Sequence, residues 1–241
     1  MPLVRLIAEY ILISILIAPF SLRYARMDGK GSMAAFFVGL VVYLSLGFRG
    51  FLILLAFHVL GAAATRIGYD RKTELGVAQR KRSFDNVLAN GFFPAVAAAL
   101  AGLLPQHSSM LFVGYVSAVA AAAADTVSSE IGELSASRPR LITTFEEVEA
   151  GTDGAISILG TFSGLLAALC IPLFALLVDV RPLSFSALFI PAAVAGFAGT
   201  LIDSLLGATA EQRGLIGNNT VNALSTGAGL LLSIALYSAV A

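Results

Sequence analysis

Apolar residues along this chain fall into eight long stretches divided by short polar breaks. A helix that crosses a bilayer needs roughly 20 mostly apolar residues, with ~17 to 25 allowed. The pattern therefore predicts spans at 3–20, 33–49, 51–66, 85–104, 110–129, 155–178, 184–206 and 221–239. The breaks have local causes. "RMDGKGS" (Arg26 to Ser32) and "LPQHSS" (Leu104 to Ser109) are turn-rich, and "DVRP" (Asp179 to Pro182) stops the sixth span at a charged, proline-bearing turn. Only "FRG" (Phe48 to Gly50) divides the second span from the third, which predicts a tight helical hairpin. The expected fold is all-α: one integral-membrane domain over 1–241, a bundle of about eight transmembrane helices with both termini outside.

Composition supports the bilayer as solvent. Of the 241 residues 58% are hydrophobic and 12% charged, where a soluble domain carries about 25% charged residues. The formal net charge is zero, which argues against nucleic acid as an electrostatic partner. Cys170 is the single cysteine, so no intrachain disulfide can form, and its apolar run predicts a packed thiol. The first twenty residues resemble a signal peptide, but they lack a small-x-small cleavage site. Arg23, Arg26 and Lys30 follow the apolar run rather than precede it. That favours a retained helix with its N-terminus outside.

Charge sets the expected orientation. Loops 21–32, 67–84, 130–154 and 207–220, with Arg66 at their edge, hold twelve of the fifteen Lys and Arg residues, Arg80 among them. Arg5, Arg49 and Arg181 lie on the other side. The bias puts the four loops in the cytoplasm. They also carry most of the unusual polar sequence, so the function is expected to face the cytoplasm across the cell membrane.

Two acids interrupt apolar runs. "AAAADTVSSEIG" (Ala121 to Gly132) contains Asp125, and "LIDSLLGATAEQ" (Leu201 to Gln212) contains Asp203, a loose internal repeat. An ionised carboxylate within a span costs several kcal/mol unless paired, hydrated or metal-bound, so each marks a functional site; interfacial solvation or capping is the bland alternative. On a helix Asp125 shares a face with Ser128 and Ser129. Glu130 lies about 140° round, so it joins Asp125 on one ion only if the helix ends or unwinds near Gly132. These hard oxygen ligands suit Mg²⁺, with phosphate oxygens completing its shell.

Other polar stretches offer an anion site. "RKRSFDNVLANG" (Arg80 to Gly91) supplies Lys81 and Arg82, then Asn86 and Asn90 on one helical face; for the cations alone an ordinary positive-inside cluster is the competing reading. Arg138 and Arg140 precede Thr143 and Thr144, and "GTDGAIS" (Gly151 to Ser157) is expected to open the sixth helix. Gly151, Thr152 and Ser157 there would provide bare N–H groups and small donors, the elements of a phosphate cradle, though not a Walker A loop. Asn219 and Asn222 begin the last span, as substrate contacts or as packing glue. His58 and His107 are isolated, so no His/Cys zinc site is expected.

Together "NVLANG", "AAADTVSSEIG", "PRLITTFEEVEAGTDGAISILG", "DSLLGATAEQ" and "NNTVNALSTGAG" resemble one membrane family, which includes plant phytyl-phosphate kinase of the vitamin E pathway and eukaryotic transmembrane protein 19. The resemblance covers roughly residues 30–235. More loosely, an Asp motif followed by a basic loop and a Gly-Ser/Thr helix start resembles the CTP-dependent phytol and dolichol kinases. The resemblance implies a kinase that converts a prenyl monophosphate to the diphosphate at the expense of a nucleoside triphosphate. On that expectation Asp125, Glu130 and Asp203 hold Mg²⁺, and Lys81, Arg82, Arg138 and Arg140 neutralise phosphates. Asn86, Asn90, Ser129, Asn219 and Asn222 orient them, with Thr143, Thr144, Gly151, Thr152 and Ser157 completing the cradle. A homo-oligomer is compatible with the sequence. The competing classes are an ion-coupled transporter or lipid flippase, whose acids should sit near the midplane with access from both sides, and a non-catalytic lipid-binding or assembly protein.

Overall fold

A computed structural model describes residues 2–79, 81–178, 181 and 183–240 of the chain. Arg80, and Asp179 and Pro182 of the expected turn, lie outside the described residues. The fold is all-α, with eight helices: α1 (Pro2–Arg23), α2 (Gly29–Arg66), α3 (Tyr69–Glu74), α4 (Phe84–Leu103), α5 (Ser108–Gly132), α6 (Ile158–Val178), α7 (Phe185–Leu206) and α8 (Asn218–Val240). All but the short α3 are long and apolar enough to cross a membrane. A two-residue ladder, β1 (Arg140–Leu141) with β2 (Ala155–Ile156), is the sheet content among the described residues.

The 38-residue α2 holds both the second and third expected spans. Gly47 breaks it with φ 71° and ψ −171°, a backbone state that glycine reaches without a Cβ penalty. The chain reverses there. A Cβ placed on Gly39 would lie 3.1 Å from the Phe51 ring, so the two arms run side by side. Counted by arm, eight segments are present, and the reversal falls one residue before the expected "FRG" break.

α5 forms the axis of the bundle. Its residues from Leu111 to Ala124 are all buried, as expected of a helix that is apolar on every side. Of α1's apolar span only 6% is buried, against 78% for Pro105–Gly132, which places α1 at the periphery. α7 packs parallel to α5 through small residues. Cβ atoms added at Gly196 and Gly199 would each come within 2.7 Å of Ala120 and Ala121. Such close backbone approach is how small residues associate helices without a hydrophobic driving force. Cys170, expected to be packed, is instead exposed on α6.

The four loops that carry the excess of basic residues meet at one end of the bundle. Met27 bridges to Arg82, a Cβ on Gly68 would touch Leu134, one on Gly151 would touch Val77, and Gln212 donates to the Asp153 carbonyl.

Candidate active site

The parallel contact of α5 and α7 continues downward from Gly196 and Gly199 to Asp125 and Asp203. The two carboxyl groups face each other closely enough to interact directly, and the Ser225 hydroxyl of α8 lies beside Asp203. Asp203 Oδ2 is buried without a hydrogen-bond partner. A buried polar atom left in this state is a high-energy arrangement unless something further binds it. Two like charges face to face call for a proton or a cation between them.

Past Asp203 the α-helix gives way to a π turn, Gly207–Glu211. Such turns are often found at functional sites. It carries Glu211 within electrostatic range of Asp125 and Asp203. Gly154, at φ 74°, lies so close to the Ala208 backbone that no Cβ would fit, so the 133–157 loop is docked on this turn.

Opposite the acids sits Arg82, 7% exposed. Its backbone is clamped on both sides: its N–H donates to the Arg26 carbonyl at 2.8 Å, and its carbonyl accepts from the Asp28 N–H at 3.2 Å. Its guanidinium donates to the Thr65 hydroxyl at 3.3 Å. Burial lowers the Arg82 pKa, while the charges of Glu130 and Asp125 oppose that shift. A cation tied down in this way is a fixed counter-charge for an anion.

Asp125, Asp203 and Arg82 form the polar end of a cavity of about 450 Å³. Asn86 and Asn90 of α4, Ser129 of α5 and Asn222 of α8 complete that end. The rest of the cavity runs between α1 and the arms of α2 and is lined chiefly by apolar side chains such as Ile11, Phe36 and Leu54.

The structure thus brings together Asp125, Asp203, Arg82, Asn86, Asn90, Ser129 and Asn222. Glu130 reaches the cavity wall but is otherwise committed. Because α5 stays helical through Gly132, Glu130 points round the helix, where its oxygens meet Lys72 Nζ and the Thr65 hydroxyl, each at 2.5 Å. Among the described residues no group of three or more His, Cys, Asp or Glu side chains is placed to share a metal ion. A two-carboxylate site at Asp125 and Asp203 is the arrangement that fits Mg²⁺, which is commonly held by one or two carboxylates plus substrate phosphates.

The expected phosphate cradle does not assemble. α6 begins at Ile158, and Ala155–Ile156 pair as β2 instead of opening the helix. The Ser157 hydroxyl caps the Gly160 N–H at 3.0 Å and meets the Gly132 carbonyl. Thr152 donates back to Glu149, and Gly151 (φ 85°) turns the chain against Val77. Arg138 and Arg140 pair with Glu149 and Glu147 of their own loop. Thr143 and Thr144 are exposed, Thr144 bonding Glu146. Lys81 and Asn219 are also exposed and do not line the cavity.

Several residues in or near the site escaped the sequence reading. Asn218, rather than Asn219, lines the cavity, because the start of α8 sets the phase. Ser21 and His58 lie 2.9 Å apart in its wall, a pair that sequence distance conceals. Glu211 was visible in "LIDSLLGATAEQ", but α-helical phasing does not anticipate a π turn.

Residues 12–230 match the family described as integral membrane protein DUF92. The chain belongs to that family. Among DUF92 relatives, it is 37% identical to an uncharacterized membrane protein of Methanocaldococcus jannaschii over 98% of this chain and 95% of the relative. It is 33% identical to Protein PGR of Arabidopsis thaliana, over 85% and 78% of the two chains. Chloroplastic Protein VTE6 of the same plant is more distant, 29% identical over 95% and 70%. No solved structure matches the chain.

Proposed function

We propose that this DUF92 protein is a membrane kinase that phosphorylates a prenyl monophosphate to the diphosphate. The observation that carries the reading is the shape of the cavity: an Asp125–Asp203 pair and a buried Arg82 at one end, and an apolar arm between α1 and α2 at the other. An amphiphile with a phosphate head fits that division. The distant relationship to VTE6, a phytyl-phosphate kinase, supports the same chemistry.

A phosphate monoester is largely dianionic at neutral pH, its second pKa being about 6. It needs no general base. Its oxygen attacks the γ-phosphorus of a nucleoside triphosphate, the bond from that phosphorus to the β–γ bridging oxygen breaks, and lipid diphosphate and nucleoside diphosphate leave. The difficulty is holding two polyanions in line. Mg²⁺ at Asp125 and Asp203 would supply neutralising charge. Arg82 provides a fixed cation for the acceptor phosphate, and Asn86, Asn90 and Asn222 offer amides to orient it. CTP as donor rests on the looser resemblance to the phytol and dolichol kinases, and a cytoplasmic site rests on the positive-inside bias.

The test is incubation of detergent-purified protein with Mg²⁺, geranylgeranyl or phytyl monophosphate, and each of CTP, ATP, GTP and UTP, with lipid products followed by mass spectrometry. Diphosphate formed with one nucleotide supports the reading and names the donor. No product from folded protein with any pair overturns it in favour of transport, for which ion flux in liposomes is the next measurement.

A further inference from the structure

We propose that Tyr10 closes the apolar arm of the cavity and so limits the acceptor to a tail of about three to four isoprene units. The inference rests on the reading of the cavity as a site for a phosphate lipid, and it adds which tail and which residue decides.

The Ser21–His58 pair marks the end of the polar region. From there the α1 wall steps through Ala18, Ser14 and Ile11 to Tyr10, residues of one helical face, with no charged side chain among them. Tyr10 is 2% exposed. Its hydroxyl donates to the Phe36 carbonyl at 2.7 Å, which ties α1 to the first arm of α2. Its ring packs against Phe36 and Tyr43 of that arm and edge-on against Phe51 of the second, with centroids 5.2, 5.4 and 5.6 Å away. The arms approach this plug because position 39 is glycine, where a Cβ would strike the Tyr10 hydroxyl. A ring held on three sides and by a hydrogen bond cannot swing aside without breaking that packing.

The length follows from helix geometry. Ser21 lies eleven positions after Tyr10 on α1, and at 1.5 Å per residue that is about 16 Å. An extended chain advances roughly 1.2 Å per bond, taking three backbone bonds per 3.6 Å. The arm therefore takes about 13 chain carbons. Four chain carbons per isoprene unit give about three to four units. A tail of ten units would have to leave sideways past Ile15 of α1, which is 61% exposed.

The experiment uses the full chain in detergent with prenyl monophosphates of two, three, four and ten units. Binding is read without nucleotide as the rise in thermal midpoint, and turnover with Mg²⁺ and nucleotide as kcat/KM. Three or four units should give the largest midpoint rise, and ten units a kcat/KM lower by about tenfold or more. Tyr10→Ala should narrow that gap at least severalfold by opening the floor. Ser14→Phe, which fills the arm from the other direction, should move the optimum to two units, and it decides the matter if Tyr10→Ala does not fold. A wild type indifferent to length, or discrimination unchanged in the folded variants, overturns the inference. Length-selective binding without turnover leaves the ruler standing and removes the kinase reading. No binding of any tail removes both.

Discussion

Lys72 Nζ lies 2.5 Å from a carboxylate oxygen of Glu130, and both side chains are closed off from solvent. The short α3 turns Lys72 inward, where it also donates to the Ala64 carbonyl at 3.1 Å. Glu130 in turn accepts from Thr65, which accepts from Arg82. The pair is thus the back wall against which the cavity's cation rests.

Removing one partner of a buried pair leaves the other charge uncompensated, at about 3–5 kcal/mol. Lys72→Met should therefore lower the thermal midpoint in detergent by roughly 10 °C. Lys72→Met with Glu130→Gln should be more stable than Lys72→Met alone. If the double variant is the less stable of the two, the residues do not act as a pair.

Glu133, one turn on and outside the span, is pushed up to about 7, first by burial and next by the charge of Glu130, with Lys72 partly opposing. Its Oε2 is buried without a partner. The folded protein therefore binds this proton more tightly than the unfolded chain, whose Glu titrates at about 4.3. Its contribution is complete below that value and lost as pH rises through about 7. Glu133→Gln should flatten the fall in midpoint between about pH 5 and 7 and be the more stable form at pH 8. Parallel profiles would assign the pH dependence to other groups.

What the sequence made legible is what the bilayer forces. Asp125 and Asp203 stood out because a carboxylate in an apolar run needs a reason, and glycine and alanine one and two turns earlier marked the faces that bring them together. Lys72 was hidden among loop cations, since nothing local distinguishes a solvated lysine from one that α3 turns inward. Arg138 and Arg140 were legible as cations, but their pairing with Glu149 and Glu147 depends on the loop folding back on itself. Glu130 was expected on the metal if the helix ended or unwound near Gly132; α5 does end there, but Glu130 is still within the helix, and its phase turns it to Lys72 and Thr65.

Gly154 and Gly214 both have positive φ, 74° and 68°, yet only Gly154 is crowded, against Ala208. Alanine at either carries a backbone strain of roughly 1–2 kcal/mol. Gly154→Ala should add overpacking of about 1–3 kcal/mol and lift the loop off the π turn. It should speed limited proteolysis of the 133–157 loop and reduce turnover, whereas Gly214→Ala should do neither. Equal effects at both positions would show that strain, not docking, governs the loop.

The facing carboxylates give the site a signature independent of turnover. Without a divalent ion their repulsion is carried by the folded state, so Asp125→Asn or Asp203→Asn should be at least as stable as the wild type. An ion that binds only the folded protein raises its stability with concentration. Mg²⁺ should therefore raise the wild-type midpoint progressively and leave that of either Asn variant nearly flat. Turnover in the variants should fall roughly a hundredfold or more, since charge stabilisation at the reacting phosphates is lost. A wild type whose midpoint ignores Mg²⁺ would mean that a shared proton, not a metal, reconciles Asp125 with Asp203.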